Sequence, residues 1–232
     1  MRPVTRPTIR SASRSARRVP GTRRAVSVAC VSVGLLGSAA GPALASTYSV
    51  TDLGSLGYGT TYATAINASG QITGESYLAT EVQVGCPTRH DKPPCFTHPG
   101  HAFLWSKGSM TDLGTLGGLD SAGTAINDLG EVVGTTGTSN GTEAFTDQSG
   151  VMTVINSGDP AAINASGVIV GQGPSGAVID NGGTLQNLNR LTPAGSGFTL
   201  TNATAVNHSG QIVAQGSNNT TGQNHGFLLI PS

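Results

Sequence analysis

Along residues 51–232 short apolar runs alternate with small or polar residues and are punctuated by Asn and Gly, and no stretch has the three-and-four spacing of an amphipathic helix. The clearest unit is A-I-N-A-S-G at Ala65–Gly70. It returns as A-I-N-D-L-G at Ala125–Gly130, A-I-N-A-S-G at Ala162–Gly167 and A-V-N-H-S-G at Ala205–Gly210. Each copy runs into a short apolar stretch: Q-I-T-G from Gln71, E-V-V-G from Glu131, V-I-V-G from Val168 and Q-I-V-A from Gln211. The two parts predict a hairpin. Asn at the turn's start bonds the backbone ahead of it, and Gly supplies the left-handed conformation that a short hairpin loop needs. Asn67, Gly70 and their counterparts are therefore expected to be structural.

Two further strands follow each hairpin. One reads H-A-F-L-W from His101, E-A-F-T from Glu143, G-A-V-I from Gly176 and H-G-F-L-L from His225. The other reads T-D-L-G from Thr51 and Thr111, weakening to T-V-I-N from Thr153 and Q-N-L-N from Gln186. About four short strands per repeat of roughly 40 residues is the pattern of propeller blades. The expectation is an all-β, small propeller-like ring of about four blades. The A-I-N strand, rich in alanine, is placed innermost, followed outwards by G-x-I-x-G, H-A-F and T-D-L-G. In that phase Thr51–Gly54 would complete the blade ended by His225–Ile230 and close the ring, removing two exposed edges.

Charge divides the chain. Eight arginines, from Arg2 to Arg24, precede the first apolar run, whereas Arg89, Lys92, Lys107 and Arg190 face all twelve acidic residues beyond it. A basic stretch, an apolar run from Ala25 to Leu44 and the small residues Ala43 and Ala45 form the three parts of a secretory signal, with cleavage expected after Ala45. Residues 1–45 are thus read as a leader and 46–232 as the exported domain. An uncleaved anchor is the alternative, weakened by Gly34, Gly37, Gly41 and Pro42, and no membrane span is expected in the mature chain. Arg23-Arg24 leaves the export route open between the general and twin-arginine pathways. Cys30 precedes most of the apolar run, against a lipoprotein. The acidic mature domain disfavours nucleic acid as a partner.

Cys86 and Cys95 lie in C-P-T-R-H-D-K-P-P-C-F-T-H-P-G-H, inside an insertion spanning 77–100. In an oxidising compartment the simplest reading is a disulfide, worth about 2 to 3 kcal/mol through restriction of the unfolded chain. Zinc on Cys86, His90, Cys95 and His98 has the right donors but an irregular spacing, so no metal or other cofactor is expected.

The string H-A-F-L-W-S-K-G-S-M-T-D-L-G-T-L-G-G, followed by A-I-N-D-L-G-E-V-V-G, closely resembles the HAF repeat of predicted extracellular bacterial proteins. The match is strong over Thr51–Gly74 and His101–Gly134 and weaker where Gly176-Ala177-Val178 and His225-Gly226-Phe227 stand for the namesake triplet. The resemblance implies an extracellular setting and carries no settled activity.

No zinc-hydrolase helix, Walker loop, nucleophile elbow or dinucleotide fingerprint is found. Leu113–Gly118 is glycine-rich but lacks a following Lys, and reads as a loop between blades. Twelve carboxylates offer no pair that stands out as a glycosidase dyad. Asp52 and Asp112 sit at repeat positions, as structural residues would. His101 and His225 open equivalent strands and are expected to form internal hydrogen bonds; His208 sits in a turn. No catalytic residue is assigned. Because connections alternate between the two faces of an antiparallel blade, the insertion and the crossovers share one face. That face gathers Tyr58, Tyr62, His90, Asp91, Asp120, Asp159 and Phe198, the candidate binding residues. The expected function is a secreted, non-catalytic module binding an extracellular protein or glycan, or a structural component of the cell surface. The alternative is a small secreted propeller enzyme acting on carbohydrate.

Overall fold

The computed structural model describes residues 48–85 and 95–232. The leader and the residues Cys86, His90 and Asp91 lie outside the described residues. The strands belong to one compact unit, Val50–Ser232.

The architecture is all-β, a succession of small antiparallel sheets. Sheet 1 contains β1 (Gly57–Ile66), β2 (Ile72–Leu78), β5 (Gly100–Ser106) and β6 (Ser109–Gly114), side by side in that order. Between β2 and β5 the insertion forms its own two-stranded ribbon, β3 (Val82–Val84) with β4 (Cys95–Thr97). Sheet 2 runs β7 (Ser121–Ile126), β8 (Val132–Thr138), β9 (Gly141–Gln148) and β10 (Val151–Ile155). Sheet 3 runs β11 (Asp159–Ile163), β12 (Ile169–Gly173), β13 (Gly176–Asp180) and β14 (Leu185–Asn187). Sheet 4 has three strands, β15 (Phe198–Val206), β16 (Ile212–Asn218) and β17 (Asn224–Leu229). The strand order within each sheet is the one the repeats predict, starting from A-I-N.

Each A-I-N turn is built as its composition requires. Asn127 Oδ1 accepts from the amides of Leu129 and Glu131, both at 3.0 Å, and the Gly130 amide donates to the Asn127 carbonyl, also at 3.0 Å. Gly130 has φ +82°, which a residue with a Cβ adopts only under strain. Beyond the turn, Gly134 is needed for a different reason. A Cβ there would lie 2.0 Å from the Ala122 carbonyl oxygen and 2.8 Å from Phe145. The small residue lets β7 carry a bulge between Gly123 and Ala125 while Phe145 packs beneath it.

The sheets stack serially. β7 packs on β1, β2 and β5; β11 on β7, β8 and β9; β15 on β11, β12 and β13. Alternation along each strand supplies the contacts. Val132, Ile126 and Phe145 of sheet 2 face Ala102 of sheet 1, while Val133 on the opposite side meets Ile163 and Ile169 of sheet 3. Val170 then meets Leu200, Ala203 and Ile212 of sheet 4. Each fully buried Phe or Val of this kind contributes about 1.5 to 3 kcal/mol.

The closure expected between Thr51–Gly54 and His225–Ile230 is not made. Thr51–Gly54 is not a strand, and among the described residues β17 pairs with β16 alone and sheet 4 has no fourth strand. Asp52 turns its carboxylate onto the Gly54 amide at 3.0 Å and Thr61 Oγ1 donates to the Gly54 carbonyl at 2.9 Å, the bonds that Asp112 and Ser121 make with Gly114 at the end of β6, so the segment keeps the local shape of its repeat without an edge beside it.

Candidate functional site

At the end of sheet 1 that carries its crossovers, aromatic and acidic side chains converge. Tyr62 on β1 pairs across the sheet with Glu75 on β2, and Tyr77 stands two residues further along the same side of β2. The Tyr62 and Tyr77 rings meet edge to face, with centroids 6.4 Å apart. Asp120, in the crossover to sheet 2, reaches back to accept from the Gly100 amide at 3.0 Å. Its crossover is held by the Gly137 amide donating to the Asp120 carbonyl at 2.7 Å and the Gly118 amide donating to the Gly137 carbonyl at 2.9 Å.

Electrostatics tie these groups together. Partial burial, and then the Asp120 charge, push the Glu75 carboxyl above its ordinary value. The Tyr77 hydroxyl is raised chiefly by the Glu75 charge, with smaller contributions from desolvation, Tyr62 and Asp120. The patch is one of crowded negative charge beside exposed rings.

The insertion borders this patch. The Leu78 amide donates to the Pro99 carbonyl at 2.9 Å and closes its base. His98 stacks on Tyr58, with ring centroids 3.5 Å apart, and its Nδ1 lies 3.0 Å from the Leu78 carbonyl. His98 is thus occupied by packing and a backbone bond. Among the described residues no group of three metal-ligating side chains occurs.

Of the residues expected on one face, Tyr58, Tyr62 and Asp120 are placed around sheet 1 and its insertion. Asp159 lies elsewhere, lining a hollow with Glu143, Asn156 and Pro174 where sheets 2 and 3 meet. Phe198 packs on Phe227, centroids 4.9 Å apart, beside another hollow with Pro193 and Leu229 at sheet 4. Each of these crossovers stays with its own pair of sheets, so Asp159 and Phe198 lie at other places along the array than Tyr58, Tyr62 and Asp120. The sequence reading missed Glu75 as a site residue and used Tyr77 only as a boundary. Their i, i+2 spacing on a strand was the available signal, since it puts both on one side.

Two other expectations concern histidine and asparagine. His101 Nδ1 lies 2.9 Å from Asp112 Oδ1, so this pair is internal. Asp112 also accepts from the Gly114 amide at 2.7 Å, the same turn that Asp52 makes with Gly54. His225 is exposed and lies against Phe227. The turn asparagines do more than turn chemistry demands. Asn67 Nδ2 donates to the Asn127 carbonyl at 2.9 Å, Asn127 Nδ2 to the Asn164 carbonyl at 3.1 Å, and Asn164 Nδ2 to the Asn207 carbonyl at 3.0 Å. One amide in each of the first three repeats thereby joins neighbouring sheets.

The fold and patch define a serial array of small antiparallel sheets with an acidic, tyrosine-bearing locality at its first member. Protein-family models, curated proteins and solved structures give no match to this chain. Among the described residues no helix is long and apolar enough to cross a membrane.

Proposed function

We propose that this protein is an exported, non-catalytic extracellular module that binds a glycan or a protein through the patch formed by Tyr58, Tyr62, Glu75, Tyr77 and Asp120. The observation that carries the reading is the convergence of exposed tyrosines and two carboxylates at one end of sheet 1. Aromatic faces pack against the C–H surface of a sugar or an apolar side chain, and carboxylates accept from hydroxyls or pair with cations. Secretion rests on the three-part leader, and the extracellular setting is also what resemblance to the HAF repeat implies. A Cys86–Cys95 disulfide would limit the freedom of the insertion beside the patch before binding, which reduces the entropy lost on recognition. The strand order and the contacts between successive A-I-N strands support a propeller-like reading of the four sheets.

A second reading has one observation in its favour: Glu75, with its raised carboxyl, faces the charge of Asp120, and paired carboxylates of unlike proton affinity are the equipment of glycoside hydrolysis. Binding to a glycan array and to cell-wall fractions, with wild type and Tyr62→Ala, tests the proposal. Retention of a defined glycan or protein that Tyr62→Ala loses supports it. Release of reducing sugar, abolished by Glu75→Gln, would transfer the assignment to the enzyme.

A further inference from the structure

The contact between consecutive sheets is made three times within the chain, and each end of the array carries one half of it unused. On the first end, Ile66 is 67% exposed, whereas its counterparts Ile126 and Ile163, covered by the preceding sheet, are each 8% exposed. On the last end, Val213 is 45% exposed, whereas Val133 and Val170 in the same repeat position are 0% and 1% exposed beneath the following sheet. The hydrogen-bond ladder stops in the same way. Asn67, Asn127 and Asn164 each donate to the next repeat, but among the described residues Asn207 Nδ2 meets only Gln211 of its own turn, at 2.7 Å. Thr64 and Thr124 donate across to the carbonyls of Gly123 and Pro160, whereas among the described residues Thr204 bonds only Val213 of its own sheet.

The missing strand belongs to the same contact. In sheet 1 the T-D-L-G strand, β6, lies on the outer edge beside H-A-F and leads directly into the next sheet; His101 and Asp112 pair across it. Sheet 4 has the histidine, exposed His225, on the edge of β17, but among the described residues no such strand. Thr51–Gly54, with exposed Asp52, is a T-D-L-G segment that leads directly into β1 and lies in no sheet.

We propose that these two ends are the complementary halves of a head-to-tail interface between copies of this chain. Sheet 1 of one copy stacks on sheet 4 of another, repeating the contact that sheets 2, 3 and 4 make with their predecessors. Ile66 of one copy covers Val213 of the other, Asn207 Nδ2 donates to the second copy's Asn67 carbonyl, and Thr204 donates to its Ala63 carbonyl. Thr51–Gly54 of the second copy adds to the edge of β17 as the fourth strand, setting Asp52 beside His225. The occupant is a second copy because each end displays the surface that the chain itself uses to meet the other. Such an interface is heterologous, and its rotation decides between a closed ring and an open filament.

Sedimentation of the purified protein over a wide concentration range tests this. Wild type is expected to associate with rising concentration, and Ile66→Arg and Val213→Arg are each expected to remain monomeric. Because each variant keeps one intact and different end, their equimolar mixture is expected to give a 1:1 complex at the highest concentrations. Both residues are exposed, so thermal melts of the dilute variants should match wild type and show that folding is retained. Hydrogen exchange of Asn224–Leu229 in wild type should slow as concentration rises and should not slow in a variant lacking Thr51–Gly54. Three sedimentation results overturn the proposal: a wild type monomeric throughout, single variants that associate as wild type does, or a mixture that stays monomeric where wild type associates. Protection of β17 that is independent of concentration overturns it in favour of closure within one chain.

Discussion

The side-chain amide of Asn127 donates to the main-chain oxygen of Asn164, 37 residues on, while its carbonyl oxygen holds its own turn. One side chain thus closes a hairpin and joins two sheets. Asn207 makes the turn bond to Gln211 at 2.9 Å but, among the described residues, spans to no further sheet.

Asn127→Ala should therefore cost more than Asn207→Ala when each is measured by urea unfolding of the dilute protein. The first takes one of two bonds from the buried Asn164 carbonyl, which keeps the Gly167 amide, and deprives two turn amides of their acceptor, an expected loss of about 2 to 4 kcal/mol; the second acts at an exposed turn and should cost about 1 kcal/mol or less. Equal losses would show that the amide ladder contributes nothing between sheets.

Gly130→Val should destabilise more than Asp128→Ala. Valine at φ +82° is strained by roughly 1 to 2 kcal/mol or more. Asp128→Ala gives up one exposed bond, from the Ala68 amide at 2.9 Å, worth about 1 kcal/mol or less. Thermal melts of the two variants, compared at one pH, check the order.

Glu75 gives the folded state a pH dependence with a definite sign. Its carboxyl is raised in the folded protein above the ordinary value of 4.5, by partial burial first and by Asp120 second. Between 4.5 and the raised value the folded state binds more protons than the unfolded chain, so stability from this group falls as pH climbs through that window. Glu75→Gln should remove the fall, and its stability relative to wild type should rise from acid toward neutral pH. Chemical denaturation at a series of pH values gives the comparison, and a constant difference would place the charge outside the site's electrostatics.

The insertion can be tested apart from the sheets. Replacing residues 82–97 by a short Gly-Ser bridge keeps the Leu78–Pro99 bond and the Tyr58–His98 stack at its base. The melting temperature should change little, because the ribbon forms its own two-stranded sheet and long surface insertions cost little. Affinity for the glycan or protein retained by wild type should fall. Full retention of binding would remove the loop from the proposed recognition surface.

Period-two alternation and the A-I-N-x-x-G turns were enough, by themselves, to give strands, hairpins and the strand order within each sheet, since those are local matters of backbone geometry and side-chain direction. Structural roles for Asn67, Gly70 and Asp112 were legible for the same reason. Tertiary structure decided what one repeat does to the next. The turn asparagine's second bond, the close approach at Gly134 and the burial of Val133 against Ile163 all depend on a neighbouring sheet that no local pattern describes. The candidate patch divides along the same line: Tyr58, Tyr62 and Asp120 were visible as residues of long connections, whereas Glu75 and Tyr77 became part of it only when β1, β2 and the β6–β7 crossover were brought together. The sequence likewise presented Thr51–Gly54 as a strand by its T-D-L-G pattern, but a strand needs an edge to pair with. In the folded chain the edge of β17 is left open while that segment is held against β1.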